Sequence, residues 1–285
     1  MKVHSMLARF IARPDSPLAE VQQQGQDLFS LLLQPVIDEL PAGSVVAVEL
    51  DRSLAGLPVE ALRSPAGWYF AERYPVIYSP GVVREKHLRN PEPVNASRSF
   101  LLADASEGSG GSYLPGSELE RETISRLFPR KKIIGSEAGL AETQTLLAKS
   151  DIFGFIGHGE RNGTGTALRV NPGLLLRTED FSPLILQRLQ MAVLAACATG
   201  LGGENGLLDN RNLVHAFLAG DVPSVIASNW NVDSVATAKL MKAFYLHFAR
   251  GESAAMALFA ARTEILKVRT HPYFWAAFNL IGKTS

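Results

Sequence analysis

The chain has 285 residues, of which 46% are hydrophobic and 20% charged, and these figures suit a globular protein with one large domain or two small ones. Lys and Arg together equal Asp and Glu in number, so the formal net charge is zero. Scattered charges with no excess of basic residues exclude the electrostatic surface that nucleic-acid binding needs, and we expect no direct nucleic-acid partner.

The sequence predicts no membrane-inserted segment. Charged side chains interrupt residues 1–14, and no stretch of the sequence approaches the roughly 18 apolar residues of a membrane span. We therefore expect a cytoplasmic protein that makes no membrane contact.

The amino-terminal third predicts a helix and a small sheet. Apolar residues at helical spacing predict an amphipathic helix over Leu18–Leu40, which Pro41 ends. β-forming residues predict strands within Ser44–Leu50 and Trp68–Tyr78.

Two loop-like segments, 86–97 and 106–112, lie on either side of the first strand of a longer pattern. From residue 99, continuous apolar runs alternate with amphipathic segments, which is typical of a parallel sheet covered by helices on both faces. We expect a three-layer α/β core over residues 98–285, with residues 1–97 packed on it as an extension. The predicted strands are 100–103, 132–135, 152–157, 191–196 and 222–228, and the predicted helices are 118–128, 140–149, 183–189 and 206–218.

Two segments break this alternation. Residues 164–177 predict a hairpin, with Asn171-Pro172-Gly173 at its turn. Near the carboxyl terminus, Val235–Arg250 and Ser253–Lys267 each have the spacing of a helix.

Polar residues stand at the ends of two predicted strands. The run IFGFIG leads directly into His158, and the run MAVLAA leads directly into Cys197. Open parallel sheets bind their ligands outside the carboxyl ends of the strands. If these two strands are neighbours, His158 and Cys197 lie side by side at one edge of the sheet, as a catalytic dyad requires.

A histidine beside a cysteine supplies nucleophilic chemistry. An imidazole with an ordinary pKa of about 6.5 can take the proton of a thiol of pKa about 8.5, which leaves a thiolate to attack a carbonyl carbon. The backbone N–H groups of Gly159 and Cys197 could then hold the oxyanion. Each residue alone has a plainer explanation, because an isolated Cys is more often a packed thiol and an isolated His a surface residue.

Other kinds of site find little support. Cys197 is the only cysteine, which excludes an intramolecular disulfide and a Cys-rich zinc cage. The run Gly157-His158-Gly159 lacks the later glycine of a dinucleotide-binding loop, and no G-x-S-x-G motif is present. We therefore expect neither a metal nor an organic cofactor.

Loop acids near the expected edge are weaker candidates. Glu160, Glu204 and Asp209 could select a basic substrate side chain, although acids in loops are usually just solvated. Structural or surface roles are expected for three further histidines, His215, His247 and His271.

Several sequence blocks, in order, resemble the signatures of CHAT domains, which are caspase-like cysteine peptidases related in fold to separase and often fused to tetratricopeptide repeats. The similarity spans roughly Leu28 to Gly282. The blocks are GLPVEAL, LPGSELERETISRLFP, FIGHG, LAACATGLG, LVHAFLAGDVPSVIASNWNVDSVATAKLMKAFYLHFARG and HPYFWAAFNLIG.

The resemblance implies a three-layer α/β/α caspase-like fold and an endopeptidase that cleaves a protein or peptide through a thioester acyl-enzyme. It implies that His158 is the general base, that Cys197 is the nucleophile, and that Gly159 and Cys197 donate to the oxyanion. It also implies that the segment with Trp230 and Asp233 lines the substrate cleft. Many family members carry an acid one position later, where this chain has Ser234.

Regulation and a rival function also follow from the resemblance. Family members tend to stay inactive until a partner or signal arrives, so an activating protein or a tetratricopeptide-repeat region is an expected partner. A catalytically silent caspase-like module that binds a partner or scaffolds an assembly is the alternative. The presence of both His158 and Cys197 favours the peptidase, because a silent module has no requirement for either side chain.

Overall fold

The structure is a computed structural model that describes residues 7, 11–106, 113–135, 137–162, 165–196, 212–231 and 233–283. Within these ranges the strands are β1 (Val46–Val48), β2 (Val76–Tyr78), β3 (Phe100–Asp104), β4 (Lys131–Ile134), β5 (Ile152–Ile156), β6 (His158–Asn162), β7 (Gly165–Asn171), β8 (Leu174–Leu176), β9 (Met191–Ala195), β10 (Ser224–Ser228) and β11 (Phe278–Gly282). The helices are α1 (Leu18–Leu32), α2 (Val82–His87), α3 (Ser117–Leu127), α4 (Leu140–Leu147), α5 (Pro183–Leu186), α6 (Leu213–Ala219), α7 (Ser234–Phe248) and α8 (Ala254–Leu266).

Eight strands form one sheet in the order β1-β2-β11-β10-β9-β5-β3-β4. The strands from β10 to β4 are parallel to one another, and β11, β2 and β1 are likewise parallel to one another. The two groups meet between β10 and β11, which are antiparallel. A second sheet of three antiparallel strands has the order β6-β7-β8. The predicted α/β architecture with a mostly parallel sheet is confirmed.

The central strands are apolar throughout because both faces of the sheet are covered. Every residue of β5, β9 and β10 is buried. On one face, the ring of Phe100 lies 4.9 Å from that of Phe128 and 5.8 Å from that of Tyr245. On the opposite face, the ring of Phe153 lies 6.0 Å from that of Phe217. Aromatic clusters thus anchor the helices to both sides of the sheet, which gives the three layers.

The first helix and the second strand are shorter than predicted. Helix α1 ends at Leu32, since Pro35 disfavours helical geometry in the residue before it. Within the predicted strand Trp68–Tyr78 only the last three residues form a strand, and Tyr69 makes an isolated bridge with Arg63. A short 3-10 helix occupies the earlier part, and the Glu72 carboxylate accepts a hydrogen bond from the Tyr69 N–H at 2.6 Å, which holds that turn closed.

Strands β1 and β2 belong to the same sheet as the later strands, where β2 pairs with β11. A buried ion pair ties this amino-terminal region to helix α8, with Arg262 Nη2 lying 2.8 Å from Glu60 Oε1. The Tyr78 hydroxyl donates to the other Glu60 oxygen at 2.5 Å. The division of the chain at residues 97 and 98 remains a proposal. None of the described helices combines the length and the apolar character needed to cross a membrane.

Candidate active site

The carboxyl ends of β5 and β9 lie side by side. The two strands are parallel neighbours, and their register places Ile156 opposite Ala195. The condition under which the sequence predicts a dyad, that these strands are adjacent, is therefore met. His158 is the second residue after Ile156, and Cys197 is the second residue after Ala195. Cys197 itself lies outside the described residues.

The residue that connects β5 to β6 is Gly157, and the backbone there is tightly packed. A Cβ atom on Gly157 would lie 2.9 Å from the Cβ of Ala105 and 2.7 Å from the ring of Phe155, closer than side-chain atoms normally approach. The Ala105 N–H donates to the carbonyl of Ile156 at 2.7 Å, so the end of β3 presses against this turn. Only glycine leaves room for the chain to place His158 at the start of β6.

His158 lies on a hairpin beside a pair of opposite charges. It is half-buried and stands opposite Arg169 in the antiparallel pairing of β6 with β7. Glu160 lies two residues further along β6 and so shares a face with His158. The Arg169 guanidinium forms a forked pair with the Glu160 carboxylate, Nε to Oε1 and Nη2 to Oε2, the latter at 2.6 Å.

This pairing controls the charge of Glu160. The hydrogen bond from Arg169 lowers the pKa of the Glu160 carboxyl, partial burial opposes that shift, and the charges of Arg169 and His158 add to it. Glu160 is therefore ionised at neutral pH, as the forked pair requires. Gly159 lies between His158 and Glu160 in β6 and stands opposite Leu168 of β7.

The segment after β10 holds two predicted substrate contacts, and both make structural bonds. Trp230 is buried, and its indole N–H donates to the carbonyl of Tyr273 at 3.2 Å. Asp233 caps helix α7, and its carboxylate accepts from the Ala236 N–H at 2.7 Å. Glu204, another predicted contact, lies outside the described residues, as does Asp209.

The other histidines considered in the sequence make contacts of their own. His215 Nε2 lies 2.9 Å from Arg84 Nη1, and His247 Nδ1 lies 2.7 Å from Glu252. The hydrogen bond with Glu252 raises the pKa of His247, whereas burial lowers the pKa of His271.

Helix α3 carries a buried carboxyl group for which the sequence predicts no role. Glu120 of helix α3 is only 3% exposed, and burial raises its pKa to about 8, with the charge of Asp104 adding to that shift and a hydrogen bond with Tyr245 opposing it. Asp104 is the last residue of β3, opposite Ile156 in the register. The available signal was the spacing of Glu120 to Ile124, which puts the acid on the core-facing side of its helix.

The sequence matches the CHAT domain family over residues 22–283, which is nearly the whole chain. The chain belongs to the CHAT domain family. No match to it was found among curated protein sequences.

Solved structures similar to this CHAT domain include separase of Saccharomyces cerevisiae in complex with securin. Two such structures have TM-scores of 0.55 and 0.56 at 17% and 15% identity, covering 84% and 99% of this chain. The chain spans 15% and 20% of the length of those separase chains. The Arg-specific cysteine proteinase gingipain R (RgpB) of Porphyromonas gingivalis matches at 11% identity and TM-score 0.55, over 100% of this chain and 74% of its own. These likenesses show that the fold is caspase-like.

Proposed function

We propose that this CHAT domain is a caspase-like cysteine endopeptidase in which Cys197 is the nucleophile and His158 the general base. The observation that carries the proposal is the register of β5 against β9, with Ile156 opposite Ala195. His158 and Cys197 each follow at the same distance in sequence from that matched pair. Neighbouring strand ends are rigid supports on which two side chains can be held within reach of each other.

The proposed reaction has two halves. His158 takes the thiol proton of Cys197, the thiolate attacks the scissile carbonyl carbon, and the N–H groups of Gly159 and Cys197 hold the oxyanion. The protonated His158 then gives its proton to the leaving amine as the C–N bond breaks, which leaves a thioester. In the second half His158 removes a proton from water, the hydroxide attacks the thioester, and the thiol and the new carboxyl end are released.

Substrate and partner remain parts of the proposal. The substrate is a protein or peptide, and Glu160, Trp230, Asp233 and Glu204 are the proposed substrate contacts. Gingipain R is described as an Arg-specific cysteine proteinase, and the separase structures contain the partner protein securin. By analogy, we propose that a partner protein or a tetratricopeptide-repeat region controls this peptidase, that it acts in the cytoplasm and that it needs no cofactor.

The test is covalent labelling of the single cysteine, read by intact mass. Peptidyl acyloxymethyl ketones with basic, acidic or apolar side chains at the first subsite would be reacted with the parent protein, His158→Ala and Cys197→Ala. Loss of a general base costs about 10²- to 10⁴-fold in rate, so labelling of His158→Ala is expected to be at least about 100-fold slower. His87→Ala is the matched control, because His87 is an exposed histidine at the end of α2.

The outcomes separate the peptidase from a silent module. Labelling that requires both His158 and Cys197, and that favours one side chain, supports the peptidase and reveals its preference. Equal labelling of the parent protein and His158→Ala would instead support a caspase-like interaction module, and labelling of neither would mean a silent module or a peptidase that still waits for its activator.

A further inference from the structure

A buried serine at the end of β10 makes a hydrogen bond beside the proposed nucleophile. Ser228 is fully buried, and its hydroxyl donates to the carbonyl oxygen of Ala196 at 2.6 Å. Strand β10 pairs with β9 up to Ala227 opposite Leu194. On the other side of β9, the pairing with β5 reaches Ala195. The Ala196 carbonyl thus lies past the last registered pairs of both ladders, and the Ser228 hydroxyl is one of its hydrogen-bond donors.

That carbonyl belongs to the peptide group that joins Ala196 to Cys197. A peptide group is planar, and in its trans form the C=O and N–H bonds point in opposite directions. An anchor on the oxygen therefore also restricts the direction of the N–H. A hydrogen bond accepted by the carbonyl further polarises the group and makes its N–H a better donor.

We propose that Ser228 is a positioning residue, which orients the peptide N–H of Cys197 as an oxyanion donor. This inference rests on the proposed function, because the N–H of Cys197 is one of the two donors in that mechanism. Ser228 acts through the peptide group and touches no substrate. The hydroxyl holds the donor in its working direction before the substrate arrives, so no reorganisation is needed when the negative charge develops.

A purely structural role for Ser228 predicts a different result. Any buried hydroxyl that satisfies a carbonyl contributes to the stability of the fold, and its loss would lower the melting temperature without a selective effect on one reaction. A positioning role instead affects only reactions that pass through an oxyanion. Iodoacetamide provides the contrast, since the thiolate displaces iodide directly and no oxyanion forms.

The experiment compares two reactions at Cys197 in the same variants. Ser228→Ala removes the hydroxyl, and Ser224→Ala is the matched control, because Ser224 is buried on the same strand and face at the far edge of the sheet. Ser228→Thr and Ser228→Val form a second pair of equal size that differs only in the hydroxyl. Labelling rates are measured with iodoacetamide and with the acyloxymethyl ketone that labels the parent protein fastest, and thermal unfolding is recorded for each variant.

The expected result is selective. Loss of an oxyanion donor costs about 10²- to 10³-fold, and a donor that is retained but poorly directed should cost at least about 10-fold in ketone labelling. Ser228→Ala and Ser228→Val are expected to show that loss in ketone labelling. Their rates of reaction with iodoacetamide should stay within about twofold of those of the parent protein and of Ser228→Thr.

Three other results would overturn the inference. Equal rates of ketone labelling in Ser228→Thr and Ser228→Val would show that the hydroxyl has no role in positioning, and the proposed function would be unaffected. Equal slowing of both reactions would indicate a structural role. A parent protein whose Cys197 is labelled as slowly as that of His158→Ala would sink the proposed function, and the role of Ser228 with it.

Discussion

The guanidinium of Arg262 lies 2.8 Å from the carboxylate of Glu60, and both side chains are sealed from solvent. Arg262 belongs to helix α8, whereas Glu60 lies in the short 3-10 helix Val59–Ala61. The pair therefore joins two parts of the chain that are far apart in sequence. Each charge is tolerated in the interior only because the other is present.

Removing one partner of this pair is expected to lower the stability of the fold. Arg262→Met leaves Glu60 buried without a counter-charge, and we expect the free energy of unfolding to fall by about 3–5 kcal/mol. The double variant Glu60→Leu with Arg262→Met should recover most of that loss, because neither charge remains buried. Equilibrium unfolding in urea measures the free energy of unfolding of the single and the double variant. Arg126→Ala breaks an exposed pair with Glu122 and should change stability by less than about 1 kcal/mol. A single variant as stable as that control would contradict the prediction.

Glu120 should make a contribution to stability that is lost as the pH rises from about 4.5 to 8. Its pKa in the folded chain is raised to about 8 from 4.5, so in this window the unfolded chain loses a proton that the folded chain keeps. Each such group costs about 1.4 kcal/mol per pH unit. The contribution is fully present below the unfolded pKa and is lost as the pH rises through the folded one.

Thermal unfolding between pH 5 and 8 tests this. Glu120→Gln cannot ionise and is expected to show a shallower decline than the parent protein. Glu122→Gln is the control, because Glu122 is an exposed acid on the same helix, and its profile should follow that of the parent. Parallel profiles for all three proteins would mean that Glu120 is already ionised in the folded chain.

Gly157→Ala should disturb both the fold and the site. The added methyl group meets Ala105 at 2.9 Å and the ring of Phe155 at 2.7 Å, and both neighbours are part of the core. We expect a loss of about 1–3 kcal/mol in stability and slower ketone labelling at Cys197, because His158 directly follows the displaced turn. Gly135→Ala is the control, since its methyl group would meet only the Asp104 carbonyl, at an ordinary 3.7 Å. Normal labelling by Gly157→Ala would show that His158 tolerates the shift.

The central sheet could be predicted because its strands carry their signal locally. The runs that form β5 and β9 are apolar on both faces, and such a run ending in a polar residue marks both a strand and the edge where it stops. The predicted turn at Asn171-Pro172-Gly173 was similarly local, and the Asn171 side chain accepts from the Gly173 N–H at 2.9 Å. Short-range chemistry therefore sufficed to place His158 and Cys197 after the ends of two strands, whereas the adjacency of those strands was a condition that only the structure shows to be met.

The missed features depend on contacts distant in sequence. Strand β11 has five residues and pairs with β10 and β2, so nothing local distinguishes its apolar run from any other buried segment. Strand β6 begins at His158 and is polar, because it pairs only with β7 at the edge of a small sheet. Ser228 and Glu120 escaped notice for the same reason, since a serine or glutamate gains a role only from the groups that the fold brings to it.

Arg169 should influence substrate preference through Glu160. Arg169→Gln removes the fork that neutralises Glu160 and leaves an unpaired carboxylate next to His158 on the hairpin. Because the hydrogen bond from Arg169 holds the pKa of Glu160 below its usual range, the variant should raise that pKa towards its ordinary value while the group stays ionised at pH 7. We expect the ratio of labelling rates for basic over acidic probes to rise several-fold.

The salt dependence of that ratio provides the check. An exposed charge is screened by salt, so the gain for basic probes should shrink as sodium chloride is raised from about 0.01 to 1 M. Arg126→Gln, which alters an exposed arginine on α3, should leave the ratio unchanged. An unchanged ratio in Arg169→Gln at low salt would mean that Glu160 lies too far from the bound side chain to influence it.

The position of β11 also determines when during synthesis the domain can assemble. Chains emerge from the ribosome amino end first, yet β11 lies between β2 and β10 and follows all the other described strands in sequence. Until residues 278–282 have emerged, the pair β1-β2 has no strand to join it to the other five. A growing chain therefore carries two separate parts of one sheet. They can pair into a single sheet only after β11 has been synthesised and has bound to both β2 and β10.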